Sequence, residues 1–223
     1  MTTVATMFDP AAARRQMVDG QLKPHRILDP AILSAMGELP REAFVPERLA
    51  AVAYIDEDIE IAPGRYLMEP MLFGRLLQEL AIEPHHRVLD VGCGTGYSAA
   101  VLARLAARVV ALEMDGDLAT RTSRLLARLD LNNVFTTVGA LFAGEPANAP
   151  YDRILLEGAT DEVPEALKQQ LADRGRLAAV VRRNGVGKAT IVERHGNAFG
   201  VREVFDAATP MLPGMTKPKS FVF

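Results

Sequence analysis

The sequence predicts an α/β fold: a Rossmann-like, mostly parallel sheet with an antiparallel edge, preceded by an N-terminal helical extension. Three observations carry this prediction. Residues 87–91, Arg-Val-Leu-Asp-Val, form an apolar strand that runs straight into Gly92, Gly94 and Gly96 and then into a helix over 98–105. Glu113 closes a second apolar run about 20 residues after the first glycines, where nucleotide-binding folds place the carboxylate that meets a ribose. Strands then alternate with helices from residue 81 to about residue 181, and further strands follow without helices, which is the order of a parallel sheet with an antiparallel end.

Taken in chain order, residues 2–9 read as a loose terminus and 11–18 as a short helix ended by Gly20, with Arg14 and Arg15 on its wet side. Asp29 and Pro30 supply an N-cap and a first-turn proline, and Ile32, Leu33 and Met36 repeat at helical spacing before Gly37 and Pro40 stop the run. Residues 40–46 are a turn that buries Phe44. The acidic run 56–60 reads as a solvated loop. Residues 63–70 are a further loop, placed to fold over the mouth of the glycine turn, and the helix over 71–80 turns Leu72, Leu76, Leu77 and Leu80 inward. Beyond the glycine turn the pattern gives a helix over 117–129, strands over 134–138 and 151–156, a helix over 163–171, a strand over 177–181, and paired strands over 188–194 and 199–205.

Composition removes several function classes. With 24% charged and 49% hydrophobic residues and a net charge of −3, the chain offers no broad basic surface for nucleic acid. The chain has 223 residues, enough to bury roughly 70% of its unfolded surface around one core. Cys93 is the single cysteine and reads as a small filler in the glycine turn, and the four histidines lack metal-ligand spacing. No run approaches the ~20 apolar residues of a membrane span, and the N-terminus has no secretory pattern, so a cytoplasmic protein without structural metal is expected.

The glycine turn also identifies the ligand class. A pyrophosphate fingerprint wants Gly-x-Gly-x-x-Gly, whereas Asp90-Val-Gly-Cys-Gly-Thr-Gly96 resembles the first motif of methyltransferases that bind S-adenosylmethionine. The wider chain looks like a divergent member of the protein-L-isoaspartate O-methyltransferase family. Residues 17–22, 27–29, 35–36, 40–46, 53–54, the glycine turn, 133–134, 149–152 and 163–164 fall in family order, and segments 40–46 and 149–152 are the most specific to it.

The resemblance implies transfer of the methyl of S-adenosylmethionine to the free α-carboxylate of an isoaspartyl residue in a damaged protein, with a protein or peptide as partner. It implies a cofactor site from Asp90, Gly92, Cys93, Gly94, Tyr97, Glu113, Met114, Ala140, Leu141 and Glu157. It also divides the chain into an extension with an acceptor-side loop, 1–80, and a cofactor-binding core, 81–223. Three motifs depart from the family pattern. The acceptor loop Gly-Gln-Thr-Ile-Ser-x-Pro stands here as Gly64-Arg-Tyr-Leu-Met-Glu-Pro70, so Tyr66 and Met68 take the positions of hydroxyl residues. The adenine-side Gly-Asp-Gly stands as Gly139-Ala140-Leu141, and Glu157-Gly-Ala-Thr160 replaces a run of small residues. Arg65 offers a forked donor for a carboxylate or a plain surface charge, and Glu69 a repulsion against anions. These departures leave open a methyltransferase with another small-molecule or protein acceptor, or a non-catalytic homologue that binds the cofactor.

Overall fold

The computed structural model describes residues 8–217. The strands that the sequence predicts around the glycine turn assemble into one seven-stranded sheet of order β5-β4-β3-β6-β7-β8-β9. Its strands are β3 (Arg87–Val91), β4 (Arg108–Glu113), β5 (Val134–Val138), β6 (Tyr151–Thr160), β7 (Leu171–Arg183), β8 (Val186–His195) and β9 (Ala198–Asp206). The first five run parallel, while β8 pairs antiparallel with both β7 and β9. The predicted antiparallel edge is therefore present. Because the chain steps outward from β3 to β5 and returns on the other side at β6, the strand order reverses between β3 and β6. A cleft opens at such a point, beyond the carboxyl ends of the strands.

Alternation along the strands sorts the side chains into two layers. Val88, Val109 and Ala111 join a core with the N-terminal helices, whereas Leu89, Val91, Val110 and Leu112 join a core on the opposite face. With a period of two, Asp90 and Glu113 fall on the first face, toward the N-terminal layer. That layer holds α1 (Pro10–Met17), α2 (Pro30–Glu38), α3 (Pro70–Leu80) and α4 (Tyr97–Leu105). Asp9 and Asp29 cap α1 and α2 by accepting from backbone amides, as a short acceptor before a first-turn proline should. The helix α5 (Gly116–Arg128) turns Leu118, Leu125 and Leu126 inward, and α6 (Glu165–Gln169) is half the predicted length because Pro164 delays its start and Leu171 already pairs in β7.

Three local expectations are corrected. Gly20 does not end the first helix. The chain continues through a π-helical turn, Val18–Leu22, that brings Leu22 to full burial. Arg14 is not on a wet face, since its guanidinium donates to the Tyr54 hydroxyl at 3.0 Å and the Glu38 carbonyl at 2.9 Å and pairs with Glu42. Residues 56–70 are not a pair of loops but carry a small antiparallel hairpin, β1 (Ile59–Ala62) and β2 (Arg65–Leu67), turning at Gly64. The alternation of Ile59, Ile61, Arg65 and Leu67 toward the core makes it a hairpin, a short period-two pattern hidden between charges.

Candidate functional site

The site is organised by the bend after β3. Gly92 at φ +82°, Gly94 at +57° and Gly96 at +92° all occupy the left-handed region that L side chains avoid. The bend is fixed from two sides. The amides of Gly92 and Cys93 donate to the Leu112 carbonyl at 2.8 and 3.2 Å, and the Thr122 hydroxyl on α5 donates to the Gly94 carbonyl at 2.9 Å. A Cβ on Gly96 would lie 2.5 Å from Thr122 Cγ2, so only glycine lets α5 press against the turn.

Glu113 lies beside this bend, fully buried at the end of β4. Its Oε2 accepts from the Gly94 amide at 2.8 Å and from the Arg65 guanidinium at 2.6 Å. Its Oε1 accepts from the amides of Met114 at 2.8 Å and Asp115 at 3.2 Å. A carboxylate has about four lone-pair sites, and here each of the four carries a donor. Asp90 accepts from the Ser98 hydroxyl at 2.7 Å, which ties the strand to the first turn of α4. Burial, and then the nearby charge of Glu113, raises the Asp90 carboxyl well above the ordinary range. Glu157 behaves alike at the end of β6, raised first by burial and then by Asp90. Burial also pushes the Cys93 thiol up, which makes it the inert filler expected.

The sequence-predicted residues separate in space. Asp90, Gly92, Cys93, Gly94, Glu113 and Glu157 gather at the sheet's switch point. Tyr97 is instead a core residue, 1% exposed, edge-on to Phe44 with ring centres 5.4 Å apart and covered by the Arg41 guanidinium at 4.7 Å. Met114 is 47% exposed, its amide and not its side chain serving Glu113. Leu141 is buried near Gly92, 3.5 Å from where a Cβ there would stand, and Ala140 leads into its 3-10 turn.

On the acceptor side, Tyr66 is half-buried in β2, but Met68 corrects expectation. Its side chain is 1% exposed and packs in the core, while its carbonyl accepts from Arg41 at 2.6 Å. Its side chain is therefore a packing element and offers no hydroxyl. Arg65 is neither a surface charge nor free to grip an acceptor carboxylate, since it is 5% exposed and bound to Glu113 and to the Gly92 carbonyl at 2.9 Å. The residues sequence reasoning missed are Ile61, Arg41 and Leu212. Leu212 reaches the site because residues 210–212 bond to Ala159 at both its amide and carbonyl. No local motif announces it.

This arrangement does not fit an adenosine as it stands. A Cβ on Gly92 would meet Leu212 Cδ2 at 2.8 Å and the Arg65 guanidinium at 3.3 Å, and one on Gly94 would meet Ile61 Cδ1 at 2.7 Å. The room that the missing Cβ atoms create is thus filled by this chain's own side chains. Removing the β1–β2 hairpin from the cleft would restore two of the three contacts to a ligand, because Ile61 and Arg65 both belong to it.

The comparisons with known proteins cover nearly the whole chain. A sequence profile of the family described as protein-L-isoaspartate(D-aspartate) O-methyltransferase matches residues 13–208. A protein-L-isoaspartate O-methyltransferase of Halorhodospira halophila is 41% identical over 204 residues, which are 90% of this chain and 92% of that protein. One of Methylorubrum populi is 46% identical over 170 residues, 76% of this chain and 80% of that protein. Among solved structures, a protein-L-isoaspartate O-methyltransferase superposes with a TM-score of 0.78 at 26% identity, covering 90% of this chain and 66% of that one. A Plasmodium falciparum protein described as a putative member, solved in complex with S-adenosyl-L-homocysteine, superposes at 0.76 and 21% identity, covering 88% of this chain and 96% of that one, and shares the fold. By the extent of these matches the chain belongs to the protein-L-isoaspartate O-methyltransferase family.

Proposed function

We propose that this chain is a carboxyl methyltransferase of the isoaspartyl type, with S-adenosylmethionine as donor and the free α-carboxylate of an isoaspartyl residue in a damaged protein as acceptor. The observation that carries this reading is the family match across residues 13–208, which includes the N-terminal layer and the hairpin as well as the glycine turn. A generic methyltransferase sheet would match only the latter part. In this reading the cofactor belongs on Gly92 and Gly94 with Glu113 toward its ribose and Asp90 and Glu157 nearby, once the hairpin side chains leave. Tyr66 lies on the acceptor side. The division into an acceptor-side segment, 1–80, and a cofactor-binding core, 81–223, belongs to the same reading. So does a cytoplasmic protein that does not act on nucleic acid; the net charge of −3 supports the latter. Among the described residues no helix is long and apolar enough to cross a membrane.

The test is transfer of labelled methyl from S-adenosylmethionine to an isoaspartyl peptide, with the aspartyl peptide of the same sequence as control. Base-labile label on the first and none on the second supports the assignment. Absence of label on both, with the protein folded, overturns it.

A further inference from the structure

We propose that Arg65 is an intramolecular latch: its guanidinium takes the place on Glu113 that a ribose diol needs, and the β1–β2 hairpin withdraws to admit S-adenosylmethionine. The inference rests on Glu113 being the ribose acid, as read above.

Three observations lead to it. First, Arg65 supplies one of the four donors that saturate Glu113, and it is the only one of the four from outside the segments 92–96 and 113–115. The other three are backbone amides of the glycine turn and of the residues just after β4. A side chain on a separate hairpin can leave; the amides cannot. Secondly, the closed arrangement is incompletely satisfied. Among the described residues, Asp90 Oδ1, Glu157 Oε1 and Arg65 Nε are buried without a protein partner, and Asp90, Arg65 and Glu157 lie close enough to perturb one another. Buried polar atoms of this kind are ordinarily paired, so the two carboxyl oxygens keep a demand that a polar, cationic ligand meets, and Arg65 Nε gains a partner in water when the hairpin leaves. Thirdly, the hairpin is built to move as a unit. It forms its own two-stranded sheet, not hydrogen-bonded into the seven-stranded one. Its two ends are pinned at a common base, where Asp58 accepts from the Glu69 amide at 3.1 Å and Asp56 from the Met71 amide at 3.0 Å. Among the described residues, nothing lies within 4 Å of a Cβ position at its tip, Gly64. Swinging the hairpin away breaks the Arg65 contacts and lifts Ile59, Ile61 and Leu67 from the N-terminal core, while leaving every ladder of the main sheet intact.

A site that is open for only a fraction of the time binds its ligand more weakly by that fraction. Arg65→Gln places the family's residue at this position and removes the charge that holds the hairpin shut. Calorimetry with S-adenosylmethionine should then show Arg65→Gln binding tighter than wild type by on the order of tenfold or more, with Arg65→Lys between them. Hydrogen exchange on wild-type protein supplies the second readout, in which amides of residues 59–67 should exchange faster when S-adenosylmethionine is bound. Equal affinity of wild type and Arg65→Gln overturns the latch while leaving the cofactor reading in place. Unchanged or slowed exchange at 59–67 on binding overturns it too. No binding by wild type or by a folded Arg65→Gln variant overturns the cofactor reading and the latch with it, as does an unfolded variant together with a wild type that takes no ligand at millimolar concentration.

Discussion

Replacing Arg65 by methionine removes the cation while keeping an unbranched side chain of similar course. The side chains of Arg65 and Glu113 are 6% and 0% exposed, so solvent screens little of their attraction. Taking away one partner strands a carboxylate in the core, and breaking a buried pair in this way costs about 3 to 5 kcal/mol. Three amides, those of Gly94, Met114 and Asp115, continue to donate to Glu113. They hold the loss near the lower end, at about 3 kcal/mol. For a domain of this length that corresponds to a melting temperature lower by roughly 6 to 12 °C. The measurement is urea unfolding followed by circular dichroism on wild type, Arg65→Met and the double variant Arg65→Met/Glu113→Gln. The double variant removes the stranded charge but turns the Gln NH2 toward a backbone amide that Glu113 had accepted from, so it should recover only part of the loss. A single variant that loses less than about 1 kcal/mol, the worth of an exposed pair, would refute the argument that this pair is desolvated. A double variant no more stable than the single would refute the argument that the stranded charge is the cause.

Other perturbations test separate parts of the site. Gly96→Ala forces a Cβ at φ +92° to within 2.5 Å of Thr122 Cγ2 and should cost about 3 kcal/mol by thermal or denaturant unfolding, whereas Gly64→Ala, at φ +67° in open space, should cost about 1 kcal/mol. Equal effects would show that contact with α5 is not what demands glycine at 96. Tyr66→Thr should raise methyl transfer to isoaspartyl peptide. Met68→Ser should instead lose about 2 to 5 kcal/mol of stability without raising transfer, because its side chain is core; a gain in activity from Met68→Ser would contradict its placement. Glu69 is half-buried beside Asp56 and Asp58, and burial, followed by their repulsion, pushes its carboxyl up from 4.5 to about 7. A raised folded value means that the protonated form is favoured in the folded chain. Its contribution is therefore full below pH 4.5 and is lost as pH rises through about 7. Melting temperature recorded across that window should fall more steeply for wild type than for Glu69→Gln, and parallel curves would reject the assignment.

Much of this protein was legible in local patterns. Residues 87–113 announced strand, bend, helix and acid because each is decided by near neighbours: β-branched and apolar side chains for the strands, missing Cβ atoms for a bend of positive φ, and an acidic residue after an apolar run. The segment 63–70, read as a loop, is in fact part of a hairpin, but its place against the glycine turn was foreseen: Arg65 reaches the Gly92 carbonyl at 2.9 Å. Element lengths were legible only in part. The strands β6 and β7 extend four and two residues beyond their apolar runs at the carboxyl ends, since pairing to a neighbouring strand and not side-chain pattern sets where a ladder stops. The hairpin was missed because two strands of four and three residues carry too few alternations to stand out among charged neighbours.

The sequence alone determined the strand–bend–helix unit and the acid after the next strand, and with them the class of ligand that the family binds, because these lie within some 25 residues of chain and are set by local pattern. Only the tertiary structure decided what occupies the cleft. Whether Arg65 meets solvent, an acceptor or Glu113 depends on a partner 48 residues away, and what stands over Gly92 depends on a segment as distant as Leu212. A guanidinium has the same chemistry in all three settings, and only packing distant parts of the chain together chooses among them.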